Sequence, residues 1–156
     1  MDDTELERAT DRTLLATRAL VGVAAKSLSA IEGDVTLSQY RALVVLGSRG
    51  SQNVGALAEA LGIHASTATR LCDRLLAKAL IVRSTTPENR REVTVALSEE
   101  GVALVRGVTE RRRHEIREIV SRMEPGERQK LIAAFEAFTD AAGEVPNDGW
   151  KLGWER

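Results

Sequence analysis

The sequence predicts a mainly α fold carrying one small β hairpin. Apolar residues recur at helical spacing along most of the 156-residue chain. That period gives way once, between Ile81 and Leu97, to two alternating runs joined by Pro87-Glu88-Asn89. Hydrophobic residues make up 43% of the chain and aromatics only 3%, so the core must be aliphatic and alanine-rich. With 29% charged residues this is the composition of a folded globular chain, long enough for one domain with helical extensions.

Residues 4–32 read as one long helix. Leu14, Val21, Ala24, Leu28 and Ile31 form its stripe, with Arg8, Arg12 and Arg18 off that face. A stripe this long suits packing on a partner chain. Gly33 and Asp34 break the helix. Thr36 lies three residues before Gln39, the capping-box spacing, and opens a helix over Leu37–Gly47 with Leu43, Val44 and Leu46 inward. Residues 49–52 read as a turn. Asn53 then caps a short helix through Leu61, with Leu57, Ala58 and Leu61 inward, and Gly62 takes its C′ position.

A third helix of this group is predicted from about Ala65 to Ala79. Ala68, Leu71, Cys72 and Leu75 fall at i, i+3, i+4 and i+7, one apolar stripe. Ser66, Arg70 and Asp73 lie opposite, flanked by Thr67, Thr69 and Arg74. Strands are predicted over Ile81–Thr85 and Glu92–Leu97. Ser98, followed by two acids, caps a helix to about Met123 through Val102, Val105, Ile116 and Ile119. Pro125 at N1 starts a last helix with Leu131, Phe135, Phe138 and Ala142 on one face.

This order, helix, helix, turn, helix and hairpin, is that of a winged helix-turn-helix. Such a fold lays its third helix in the major groove of DNA and its hairpin in the groove alongside. The net charge of −1 gives no global sign of a nucleic-acid partner. Between Ile63 and Arg91, however, six cations face two anions, a local net of +4. A basic face on a near-neutral chain is the footprint of a phosphate-tracking surface. Because 18 of the 22 cations are Arg, the placement of Arg is informative and its use as a residue type is not.

Ser66, Thr67, Thr69 and Arg70 are therefore candidate DNA contacts. Arg70 suits a guanine edge, and the hydroxyls suit the backbone. Arg91 suits a narrow minor groove, with Arg90 as its phosphate neighbour. Arg74 fits a phosphate contact and an ion pair with Asp73 equally well. His64, at the N-cap of the reading helix, can touch phosphate when protonated or serve no role. His114 follows three arginines and belongs to a solvated basic face.

Cys72 falls on the apolar stripe and reads as core packing. As the single cysteine it forms no intramolecular disulfide. Two histidines and one cysteine, unclustered, argue against a metal site. The chain shows no glycine-rich phosphate loop and no nucleophile–base spacing, so neither an enzyme nor a cofactor is expected. No run approaches the 18 apolar residues of a membrane span, and no signal-peptide pattern opens the chain, so the expected setting is soluble and cytoplasmic.

The chain resembles the MarR family of bacterial transcription regulators. The likeness rests on Leu37–Leu43, Ala56–Ile63, Ser66–Leu75 and the hairpin. The family's wing pattern D-x-R-x-x-x-V-x-L-T/S is matched at Arg91, Val95, Leu97 and Ser98, while Asn89 replaces the leading acid. The resemblance implies one MarR-like domain over 1–142. Residues 4–32 and 99–142 would form a helical dimerisation region, 36–98 the winged helix-turn-helix, and 143–156, with Trp150 and Trp154, a flexible tail. It implies a homodimer on a pseudo-palindromic DNA operator, acting as a repressor that a small-molecule effector releases. Two alternatives stand beside it. One is a winged-helix module that binds an acidic protein, and the other is a redox-sensing repressor using Cys72.

Overall fold

The structure is a computed structural model that describes residues 3–30, 35–85 and 93–144. Six helices and three strands follow in the order α1 (Asp3–Ser29), α2 (Leu37–Arg49), β1 (Gln52–Asn53), α3 (Val54–Leu61), α4 (Ala65–Ala77), β2 (Ile81–Thr85), β3 (Val93–Leu97), α5 (Glu99–Ser121) and α6 (Pro125–Ala142).

Local chemistry sets most of the boundaries. The capping box at α2 is formed in both directions: Gln39 N donates to Thr36 Oγ1 and Thr36 N to Gln39 Oε1, each at 3.2 Å. Asn53 Oδ1 accepts from Ala56 N at 2.8 Å to start α3, and Ser98 Oγ accepts from Gly101 N at 3.0 Å to start α5. Gly62 closes α3 in the left-handed conformation, at φ 66. Pro125 opens α6, and Arg128 donates from Nε to Val120 O and from Nη2 to Ser121 O, tying that helix to the end of α5.

Two helices end earlier than the sequence expectation, α1 at Ser29 rather than 32 and α5 at Ser121 rather than about Met123, and the fold differs in three further places. The turn expected at 49–52 runs into a short strand, because Gln52 pairs with Val95 and Asn53 with Thr94. The hairpin is thus part of an antiparallel sheet of order β1-β3-β2, in register Ile81↔Leu97 through Thr85↔Val93. Second, α4 stops at Ala77, since Ala79 turns left-handed at φ 57. Third, α2 continues to Arg49, two residues past the expected end, and Gly50 at φ 79 ends it. Ile31 and the expected break at Gly33-Asp34 lie outside the described residues, as do Glu92 and the 145–156 tail.

One core lies between α2, α3, α4, α5 and the sheet. Leu43, Leu57, Leu75, Val95, Val105, Val108 and Cys72 are its largest fully buried side chains. All four residues of the α4 stripe are buried. Of α1 only Val23 and Ser27 are buried, while Leu14 and Val21 of its expected stripe stand in solvent. No residue of α6 is buried.

Candidate nucleic-acid interface

The α4 stripe, packed into the core, turns the opposite side of the helix outward. Ser66, Thr67, Thr69, Arg70, Asp73 and Arg74 are all exposed, and so is His64 at the N-cap. These residues share one helical surface, and the wing stem β2–β3 follows from the C-terminal end of the same helix. His64 makes no capping bond with its side chain. The leading turn of α4 therefore points its orphan N–H groups, and the positive end of the helix dipole, at solvent. Such an end favours an anionic neighbour, and phosphate is one.

The polar face is not uniform. Thr69 Oγ1 donates to Ala65 O at 3.0 Å, so its proton is already committed within the helix. Asp73 is bound by Arg83 of β2, Nη2 to Oδ1 at 2.7 Å. Sequence reasoning left open whether Asp73 pairs with Arg74. Asp73 instead holds Arg83, and among the described residues neither Arg70 nor Arg74 has an ion-pair partner. Both guanidiniums are thus available to an outside anion.

Arg83 went unassigned in the sequence. It shares a strand face with Ile81, and with Val95 and Leu97 across the ladder, which is the inward face of the wing stem. An arginine on that face is matched by an acid, and Asp73 supplies it from α4. Both side chains are about half exposed, so the pair adds little to stability. Its geometric effect is to hold the wing stem against α4. Ser84 and Thr94 share a hydroxyl hydrogen bond across the strands at 3.0 Å. At the other end of α4, Lys78 Nζ donates to Gln39 Oε1 at 3.2 Å, joining the helix to the start of α2. Arg90 and Arg91 lie outside the described residues.

Cys72 is fully buried. Burial raises its thiol pKa above the usual range, Arg83 pulls it back and Asp73 pushes it further up. A neutral buried thiol is a poor nucleophile. Among the described residues no cluster of three or more His, Cys, Asp or Glu could hold a metal, and no helix is long and apolar enough to cross a membrane.

A cavity of about 400 Å³ lies between α1 and α5, lined by Lys26, Ser27, Ala30, Glu110, Arg111, His114 and Glu115. Lys26 Nζ and Glu115 Oε1 pair at 2.7 Å in its wall. His114, expected on a solvated basic face, is exposed and borders this cavity.

A buried-stripe helix with a free polar and basic face, followed by the β2–β3 wing, defines a winged helix-turn-helix transcriptional regulator. Comparison with known proteins narrows the class. Residues 35–93 match the model of the MarR family. YfiV of Bacillus subtilis, an uncharacterised helix-turn-helix transcriptional regulator, is 31% identical over 108 residues, which span 69% of this chain and 68% of YfiV. The crystal structure of Rv1404 from Mycobacterium tuberculosis superposes with a TM-score of 0.85 at 42% identity, covering 91% of this chain and 97% of that one. A MepR mutant of S. aureus bound to an oligodeoxyribonucleotide shares the fold, with a TM-score of 0.64 at 20% identity, over 86% of this chain and 97% of its own. The chain belongs to the MarR family and is a transcriptional regulator of the winged helix-turn-helix type. Regulators of this family bind DNA and are not enzymes.

Proposed function

We propose that the chain works as a cytoplasmic homodimer that reads a pseudo-palindromic operator and represses transcription from it. The observation that carries the DNA reading is the outward face of α4, where Ser66, Thr67, Arg70 and Arg74 are exposed and the two arginines are unpaired among the described residues. Arg70 reads a base edge, and Arg74 and the hydroxyls engage the backbone. Thr69 must give up its bond to Ala65 O to donate to a phosphate, which makes it the weakest of the hydroxyl contacts. Arg91 enters the minor groove beside Arg90, and His64 adds a phosphate contact when protonated.

The dimer reading rests on residues 4–32 and 99–142, where Leu6, Leu14, Leu15, Val21, Ile132 and Phe138 are each about half or more exposed. A bare apolar surface of that extent calls for a partner, and two-fold protein symmetry requires a two-fold site. Residues 36–98 then form the reading lobe of each subunit. The test is selection of bound sequences from random duplexes by the purified protein. An inverted repeat with half-sites about 10 bp apart supports the reading; enrichment of sequences without any repeat contradicts it.

Release by a small molecule is the finer part of the proposal. The α1–α5 cavity supports it, since its size is within the usual range for small-ligand sites and its walls bring charged groups to an otherwise apolar space. A screen of small organic acids and bases against the operator complex checks this part. Release by a compound that still acts after Ser27→Trp, which would fill the cavity, would place the effector elsewhere.

A further inference from the structure

Each of three helices here closes with the same pair of backbone bonds. For α4, Leu80 N donates to Leu75 O at 3.0 Å and Ala79 N to Leu76 O at 2.9 Å. This six-to-one and five-to-two arrangement needs a left-handed residue at its C′ position, a place that glycine normally fills. Gly62 fills it for α3 and Gly143 for α6. At the end of α4 the residue is Ala79, the one non-glycine with positive φ among the described residues. A side chain in that conformation is disfavoured, so its surroundings must impose it.

Ser98 holds this segment from outside the helix. Its Oγ donates to Ala79 O at 2.6 Å, and its backbone N donates to Leu80 O at 3.1 Å. The same Oγ accepts from Gly101 N at 3.0 Å as the cap of α5. Gly101 completes the fit, because a Cβ there would collide with the Leu80 carbonyl. The C-terminal end of the reading helix is thereby fastened to the N-terminal end of α5. Further along, α5 lays Arg112 over the Tyr40 ring of α2, 5.2 Å from its centroid, and binds Lys26 of α1 through Glu115.

We propose that Ser98 is a positioning residue for DNA reading. It touches no DNA itself. It fixes the angle between α4 and α5, and so sets where Ser66, Thr67 and Arg70 meet the base edges. The lever is long: the 13 residues of α4 span about 18 Å, so a tilt of about 10° at Ala79 displaces the reading end by about 3 Å. Base-edge hydrogen bonds do not survive a shift of that size, whereas phosphate contacts re-form with neighbouring oxygens. Loss of the clasp should therefore cost specificity and spare non-specific binding. The proposal rests on DNA reading by α4.

The test compares four proteins: wild type, Ser98→Ala, Ser98→Thr and the double variant Ala79→Gly/Ser98→Ala. For each, thermal stability is recorded, and affinity is titrated on the selected operator and on a scrambled duplex at fixed salt. In Ser98→Ala, operator affinity is expected to fall about tenfold, the loss of roughly one base contact, with scrambled-duplex affinity unchanged. Ser98→Thr, which keeps the hydroxyl, restores the ratio. Ala79→Gly in the double variant restores thermal stability and leaves the ratio low, because it relieves the left-handed demand without rebuilding the clasp.

Three results overturn the proposal. In the first, folded Ser98→Ala keeps its specificity ratio. In the second, both affinities fall together. In the third, the double variant regains its ratio along with its stability, which would make Ser98 a stabilising residue only. A wild type with no operator preference would overturn the DNA-reading assignment, and this proposal with it.

Discussion

The helices α4 and α6 both carry an apolar stripe, and they use it in opposite ways. On α4, Ala68, Cys72 and Leu75 are wholly buried within the subunit. On α6, Phe135 is 38% and Phe138 52% exposed, and α1 matches it with Leu14 at 59% and Val21 at 58%. One chain closes the core of its reading lobe and leaves a second apolar surface bare. Amphipathicity alone does not separate a helix that completes a subunit from one that joins two. The surrounding elements decide which it is.

The largest break in that comparison should come from the closed core. Leu75→Ala is expected to cost the lobe 2–5 kcal/mol, roughly the range for a buried leucine, measured by denaturant unfolding. Ile132→Ala, on the open surface, should leave lobe stability within about 0.5 kcal/mol and weaken self-association instead. Equal losses from the two would mean that α6 is part of the same core.

Cys72→Ser sharpens the buried side. An imperfectly bonded hydroxyl in that place should cost about 1–3 kcal/mol of stability. Peroxide should leave the DNA affinity of the wild type unchanged, because burial keeps the thiol neutral. Rapid peroxide-driven release of DNA, abolished by the substitution, would show that Cys72 is a sensor.

Arg70→Ala probes the outward face of the same helix. Operator binding should weaken by about 1–3 kcal/mol, with relaxed preference at one position per half-site and no change in unfolding. A uniform loss across all sequences would reassign Arg70 to a phosphate. The smallest expected effect belongs to Ala79→Gly, which should raise stability by about 0.5–1 kcal/mol by relieving its left-handed backbone. A loss of stability instead would mean that the Ala79 methyl packs usefully.

What the sequence made legible was local. The α4 stripe, the caps at Thr36, Asn53 and Ser98, the glycine at 62 and the proline at 125 each act within a turn or two, and each is found where its pattern places it. What stayed hidden depends on distant partners. Gln52 and Asn53 have little intrinsic strand preference and become β1 only by pairing with β3. Arg83 reads as one more surface cation until β2 brings it to Asp73. The cavity between α1 and α5 joins residues 80 or more positions apart. The end of α4 falls two residues before the sequence expectation because its stop signal is a left-handed alanine rather than a glycine, and its carbonyl is bonded by Ser98, nineteen residues on.

The central claim is that the bare surface of α1 and α6 is covered by a second copy of the chain. Sedimentation equilibrium on the order of 10 µM tests it most directly, on the wild type and on a Phe135→Asp/Phe138→Asp variant. The wild type should sediment as a dimer. The variant should sediment as a monomer that keeps its helical circular dichroism and loses operator binding. A wild type that is monomeric at that concentration would contradict the account, as would a charged variant that dimerises and binds unchanged.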